Sequence, residues 1–172
     1  MPSLVRHDHA PEAHPTMRTP TRPKTARIAT LAVAAALLFT LIPAGASAGT
    51  GQDRERWMMK RETNESRLQH DLSRLDLHDR LSDLARRHSL AMAREGSLFH
   101  TADPSSYYLG GIRWSAWGEN VGVTGGSAED LQRAFMRSPP HRANVLNRAF
   151  RNVAIGAVRV DGALWVTVFF YG

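Results

Sequence analysis

The stretch VAIGAVRVDGALWVTVFFY, residues 153–171, decides the fold. Two runs rich in β-branched and aromatic residues, Val153 to Val160 and Ala163 to Tyr171, flank Asp161-Gly162, a dipeptide suited to a two-residue hairpin turn. That turn fixes the register. Val153, Ile155 and Ala157 then share a face with Leu164, Val166, Val168 and Phe170, while Ala154, Val158, Val160, Trp165, Phe169 and Tyr171 occupy the other. Both faces are largely apolar and both need a cover, so the expected fold class is α/β: a three-layer α/β/α sandwich with an antiparallel sheet.

The segments upstream supply the covers. Leu77, Leu81, Leu84, Ala85, His88, Ala91 and Met92 fall on one continuous helical face, stopped by Gly96. His88 on that face reads as a core histidine with a hydrogen-bond partner rather than as a ligand. Arg54 to Leu75 predicts a surface helix with a narrow stripe at Trp57, Met58, Leu68, Leu72 and Leu75, breaking near Asp71. Ser127 with Asp130 forms a capping-box-like helix start; Ala128, Leu131, Phe135 and Ser138 share its inner face. Pro139-Pro140 ends that helix, and Pro140 opens a further turn through Leu146. Between the helices, Ser97 to Gly118 reads as a long packed loop with at most a short strand; its aromatics cover the core, or alternatively form a ligand shelf. Gly125-Gly126 is a turn, and with no GxGxxG and no following Lys-Ser/Thr it does not cradle phosphate.

Residues 1–48 read as a signal peptide. The run Ala26 to Ile42 is almost wholly apolar, with Arg27 its one charge near the start, follows Arg18, Arg22 and Lys24, and precedes a small-residue stretch ending at Ala48, the expected cleavage point. An uncleaved anchor is the competing reading, because the run approaches the ~17 residues that span a bilayer. Met17 is a candidate start, since residues 1–16 are unusual for a signal. Cleavage would leave a secreted, monomeric chain with no stable membrane insertion: a short tether at 49–54 and one domain over 55–172. Residues 1–48 hold five of the 22 Lys/Arg and two of the 16 Asp/Glu, so the remainder carries a net charge of only +3. That is too mild and too interleaved to imply nucleic acid. The absence of cysteine excludes disulfides and thiolate metal sites.

Chemistry concentrates at SPPHRANVLN (138–147), where His141, Arg142 and Asn144 follow a helix-stopping proline pair, and at two further positions, His100 and Glu119. Two imidazoles and a carboxylate suffice to hold a zinc-like divalent ion with open positions for water, or to do acid/base work. Separations of 19 and 22 residues match no local metal motif, so spacing alone does not bring the three together. A serine nucleophile has neither GxSxG nor SxxK. A nuclease built on His141, Asn144 and Asn147 would need metal, a second reactive histidine and a stronger positive field. The same residues also fit a hydrogen-bonded pin between helices and sheet.

GEN (118–120), SAEDLQRAFMRSPPHRANVLN (127–147) and IGAV (155–158) running into LWVTVFF (164–170) resemble the CAP superfamily of cysteine-rich secretory, antigen 5 and pathogenesis-related proteins, in its bacterial cysteine-free, SCP-like form. NESR (64–67), the helix carrying Leu81, Ala85, His88 and Met92, and Phe99-His100 extend the match over roughly residues 55–172. The resemblance implies an α/β/α sandwich with a cleft containing His100, Glu119 and His141, supported by Asn120, Ser138, Arg142 and Asn144. It implies that a bound divalent metal would be ligated by His100 and His141, with Glu119 as ligand or as the group orienting an imidazole; no cofactor is required. Phe135 and Ser138 stand where eukaryotic members have a tryptophan and a second glutamate, which leaves one cavity acid. The loop between His100 and Glu119 is shorter than usual, and Asp71 and His78 replace a common Gly and Asp. Family precedent points to an extracellular non-catalytic protein binding a lipid, glycan or protein; the alternative is a metal-dependent hydrolase acting on peptide, ester or cell-wall substrate, with Glu119 as base.

Overall fold

The computed structural model describes residues 46–172. The predicted signal peptide lies outside this range except for its last three residues. Helix α1 (Ala46–Leu68) contains residues 49–54, so the expected tether is instead helical. Tertiary pairing holds this end: Glu55 accepts from Arg159 at 2.7 Å, a partner more than 100 residues away and invisible to any local pattern.

The inner face of α1 also differs from the predicted stripe. Trp57 is 57% exposed and Leu68 39%, whereas Met59, Thr63, Asn64 and Arg67 are buried. Hydrophobic periodicity misses this face because polar side chains with tertiary partners occupy most of it. Thr63 donates to Gln132 at 3.3 Å. Asn64 exchanges two hydrogen bonds with the Leu75 backbone, at 3.2 and 2.8 Å. The guanidinium of Arg67 donates to the carbonyls of Ser73, Val145, Asn147 and Phe150. A buried charge is tolerated when its donors are satisfied.

After α1 the chain turns through Asp71, whose φ of 55° is left-handed, and forms β1 (Asp76–Leu77). His78 caps α2 (Asp79–Glu95), and Gly96, with φ of 63°, closes it as expected. The supposed loop contains α3 (Pro104–Leu109), started by Asp103, which accepts from the Ser106 amide at 3.1 Å. Asp-Pro at a helix start was the available signal. Then follow β2 (Trp117–Thr124), α4 (Ala128–Arg137), α5 (Pro139–Val145), β3 (Asn152–Val160) and β4 (Ala163–Tyr171). The capping box at Ser127 and Asp130 is formed on both sides.

The sheet order is β1-β3-β4-β2. The β3–β4 hairpin has the predicted register, with Val160 opposite Ala163 and Ile155 opposite Val168; Asp161 and Gly162 take φ of 49° and 80°. The long strands are antiparallel, but β1 pairs parallel to β3, so the sheet is mixed rather than wholly antiparallel. A two-residue edge strand carries too little periodicity to be read from sequence.

Helices cover both faces. Met59, Leu131, Phe135 and Val145 pack against Val153, Ile155, Val166, Val168 and Phe170 on one side. Leu81, Ala85, Tyr108 and Leu109 pack against Ala154, Phe169 and Tyr171 on the other. Gly156 lets α2 approach: a Cβ there would stand 2.1 Å from the Ala85 carbonyl carbon.

Candidate functional site

β2 sets the centre of the site. Glu119 pairs across the ladder with Phe169, and its side chain is 2% exposed. Its carboxylate is engaged on both oxygens. Nδ1 of His100 lies 2.9 Å from Oε1, the Thr101 amide donates to Oε1 at 3.0 Å, and the Thr101 hydroxyl donates to Oε2 at 2.7 Å. Three donors around a buried carboxylate replace the water it has lost. His100 itself is 60% exposed at the side chain, so a buried acid holds a surface imidazole.

The next residue on β2, Asn120, is fully buried and points into the corner that includes α5. It donates to the His141 carbonyl at 3.0 Å. Asn144 donates to the Asn120 side-chain oxygen at 2.9 Å and to the Glu119 carbonyl at 3.2 Å. Gly118 makes room for this pin, since a Cβ would fall 2.6 Å from Asn144 Oδ1. His141 is thereby placed by its backbone, with its ring tilted against Phe135 at 5.0 Å. Burial, and then the charge of His100, hold its pKa below the ordinary imidazole value.

The structure therefore joins His100 to Glu119 directly, and His141 to them through Asn120 and Asn144. Two supporting residues stand apart. Ser138 joins α4 to α5 without a side-chain cap bond, and Arg142 reaches outward to Nε2 of His70 at 3.0 Å. Thr101 was missed; its only signal was its place beside His100. His88 has the expected partner, with Nδ1 3.0 Å from the Thr167 hydroxyl. It also neighbours the site: burial lowers its pKa, Glu119 opposes that shift and His100 adds to it.

Among the described residues no group of three or more His, Cys, Asp or Glu is arranged to hold a metal ion. Glu119, buried and accepting three hydrogen bonds, is placed to orient His100.

Sheet, helices and site together define an SCP-like α/β domain. The model of the Cysteine-rich secretory protein family (CAP) matches residues 60–170, and the chain belongs to that family. It is 30% identical over 112 residues to the uncharacterized protein YkwD of Bacillus subtilis (strain 168), covering 62% of this chain and 43% of that protein. The fold is similar to an extracellular protein containing an SCP domain from Bacillus anthracis str. Ames, with TM-score 0.61 and 24% identity over 72% of this chain and 42% of that one. It is also similar to an outer surface protein of Borrelia burgdorferi, with TM-score 0.61 and 17% identity over 69% and 92% of the two chains. The chain thus spans less than half the length of the Bacillus relatives. No helix among the described residues is long and apolar enough to cross a membrane.

Proposed function

We propose that this chain is an exported, monomeric CAP-domain protein that binds a ligand beside His100, Glu119 and His141 without turning it over. The observation that carries this reading is the state of Glu119. A general base needs a free lone pair within reach of the proton it removes, and this carboxylate is 2% exposed with three donors on it. The hydroxyl beside His100, that of Thr101, donates to this carboxylate rather than to an imidazole. What remains at the surface is an oriented imidazole at His100, a second at His141, and the rigid Asn120–Asn144 pin beneath them, which together suit recognition. Export is supported by the apolar run and small-residue stretch of residues 26–48 and by the extracellular and outer-surface descriptions of two structural neighbours.

Native mass spectrometry of the protein recovered from the culture medium tests both parts. Expected are a chain beginning at Gly49 and a co-purified small molecule that disappears in His141→Ala. A bare wild-type chain would remove the small-molecule reading in favour of a protein partner. Turnover of an ester or peptide that Glu119→Gln and a chelator both abolish would overturn the non-catalytic assignment.

A further inference from the structure

A cavity of about 610 Å³ opens between α2 and the segment from Phe99 to Tyr107. Ala91, Phe99, Ala102 and Tyr107 give it an apolar wall; two imidazoles, His88 and His100, interrupt that wall, and one cation and one anion, Arg87 and Asp103, also line it. Pockets that hold small organic ligands span ~300–1,000 Å³, mostly apolar with a few placed polar groups. The chemistry of the ligand follows from where the imidazole protons sit.

Ser89 Oγ lies 3.1 Å from the Gly156 carbonyl and 2.9 Å from Thr167 Oγ1, which is 3.0 Å from His88 Nδ1. A carbonyl only accepts, so all three bonds form together in one order alone: Ser89 donates to Gly156, Thr167 to Ser89, and His88 Nδ1–H to Thr167. The reverse order leaves the carbonyl contact unmade. His88, lowered in pKa by burial, is then a neutral ring with its lone pair on Nε2. The residue is 8% exposed, and that nitrogen has no hydrogen-bond partner among the described residues. A buried acceptor left unpaired costs free energy that a ligand can return. The same logic applies to His100. Its Nδ1 faces a carboxylate that only accepts, so in the neutral ring the proton is on Nδ1 and Nε2 is again the acceptor.

We propose that this cavity takes a neutral aliphatic alcohol, its chain against Ala91, Phe99, Ala102 and Tyr107 and its hydroxyl donating to an imidazole Nε2. This rests on the binding reading above and adds the class of ligand. A fatty-acid anion brings acceptors to these acceptors, and the opposite charges of Arg87 and Asp103 on the lining cancel, so the imidazoles set the preference for the alcohol.

The test uses the full chain, treated with chelator, at about pH 9, where imidazoles are generally neutral. Titration calorimetry should show 1-decanol binding at least about tenfold tighter than decanoate. Ala91→Phe, which fills the cavity, should abolish decanol binding, and the preference for alcohol should vanish in His88→Ala, His100→Ala or both. Nitrogen-15 spectra of the imidazoles, read without ligand, should show the Nδ1–H form at both histidines. An Nε2–H form at both, an equal or tighter decanoate, or a preference surviving both histidine variants would overturn the proposal. If neither probe binds while a molecule still co-purifies in a His141-dependent way, the cavity assignment fails and the binding reading stands. If neither probe binds and nothing co-purifies, both fail.

Discussion

Glu119 shows at the scale of a single residue how burial converts an acid into a support. Its two oxygens accept from three donors, so Glu119→Gln would set an amide N–H₂ against donors and remove the charge they satisfy. The expected cost is about 2 kcal/mol in urea unfolding, with the His88 pKa falling further as the opposing charge disappears; an unchanged His88 titration by NMR would contradict this placement. Histidine also gives the pH dependence its sign. His88 and His141 have lowered pKa values in the folded state, so the unfolded chain takes up protons first as pH falls. Stability is therefore full above the unfolded imidazole pKa of about 6.5 and declines below it. Urea midpoints from pH 8 to pH 5 should fall, and His88→Phe should flatten the fall. His100, Glu119 and His141 were legible as residue types, and the family motif grouped them. Thr101 was not, because a threonine amide becomes a carboxylate donor only when strand β2 passes behind it.

Elements are joined here by close approach as much as by apolar area. Gly156 lies beneath the Ala85–Arg86 backbone, and Ser82 of α2 donates no side-chain bond to β3 but accepts one from the Ile155 amide at 3.0 Å. Gly156→Ala should push α2 off the sheet and lower stability by about 3 kcal/mol, seen as a drop in thermal midpoint. A side chain tolerated there would mean that α2 sits farther from β3. Asn144→Ala removes both the Asn120 and Glu119 contacts. It should loosen α5 and perturb the His141 resonances while leaving the His100 tautomer in place. The hairpin and α2 were legible because their periodicities, two and 3.6, hold over many residues. Helix α3 was obscured by its six-residue length, and β1 by having only two residues.

At the scale of the whole molecule Arg67 ties α1 to the turn before β1 and to the segment that ends α5 and leads on to β3. Its four carbonyl acceptors span Ser73 to Phe150. Arg67→Met fills comparable space but leaves those carbonyls unpaired, and should cost about 3 kcal/mol. With total stabilities of ~5–15 kcal/mol typical of domains, thermal unfolding should show a midpoint many degrees lower; a shift within error would mean that water replaces the guanidinium freely. Hairpin register, the two-faced apolar sheet, the capping of α2 and α4, and the family can be read along the chain, because each depends on neighbours a few residues apart or on an ordered motif. Folding is what turns a polar face of α1 inward, buries Glu119 under three donors, and sets His88 and His100 beside one cavity. Those outcomes depend on which distant donor lies within about 3 Å of which acceptor, and hydrogen-bond partners so far apart in the chain leave no periodic trace in it.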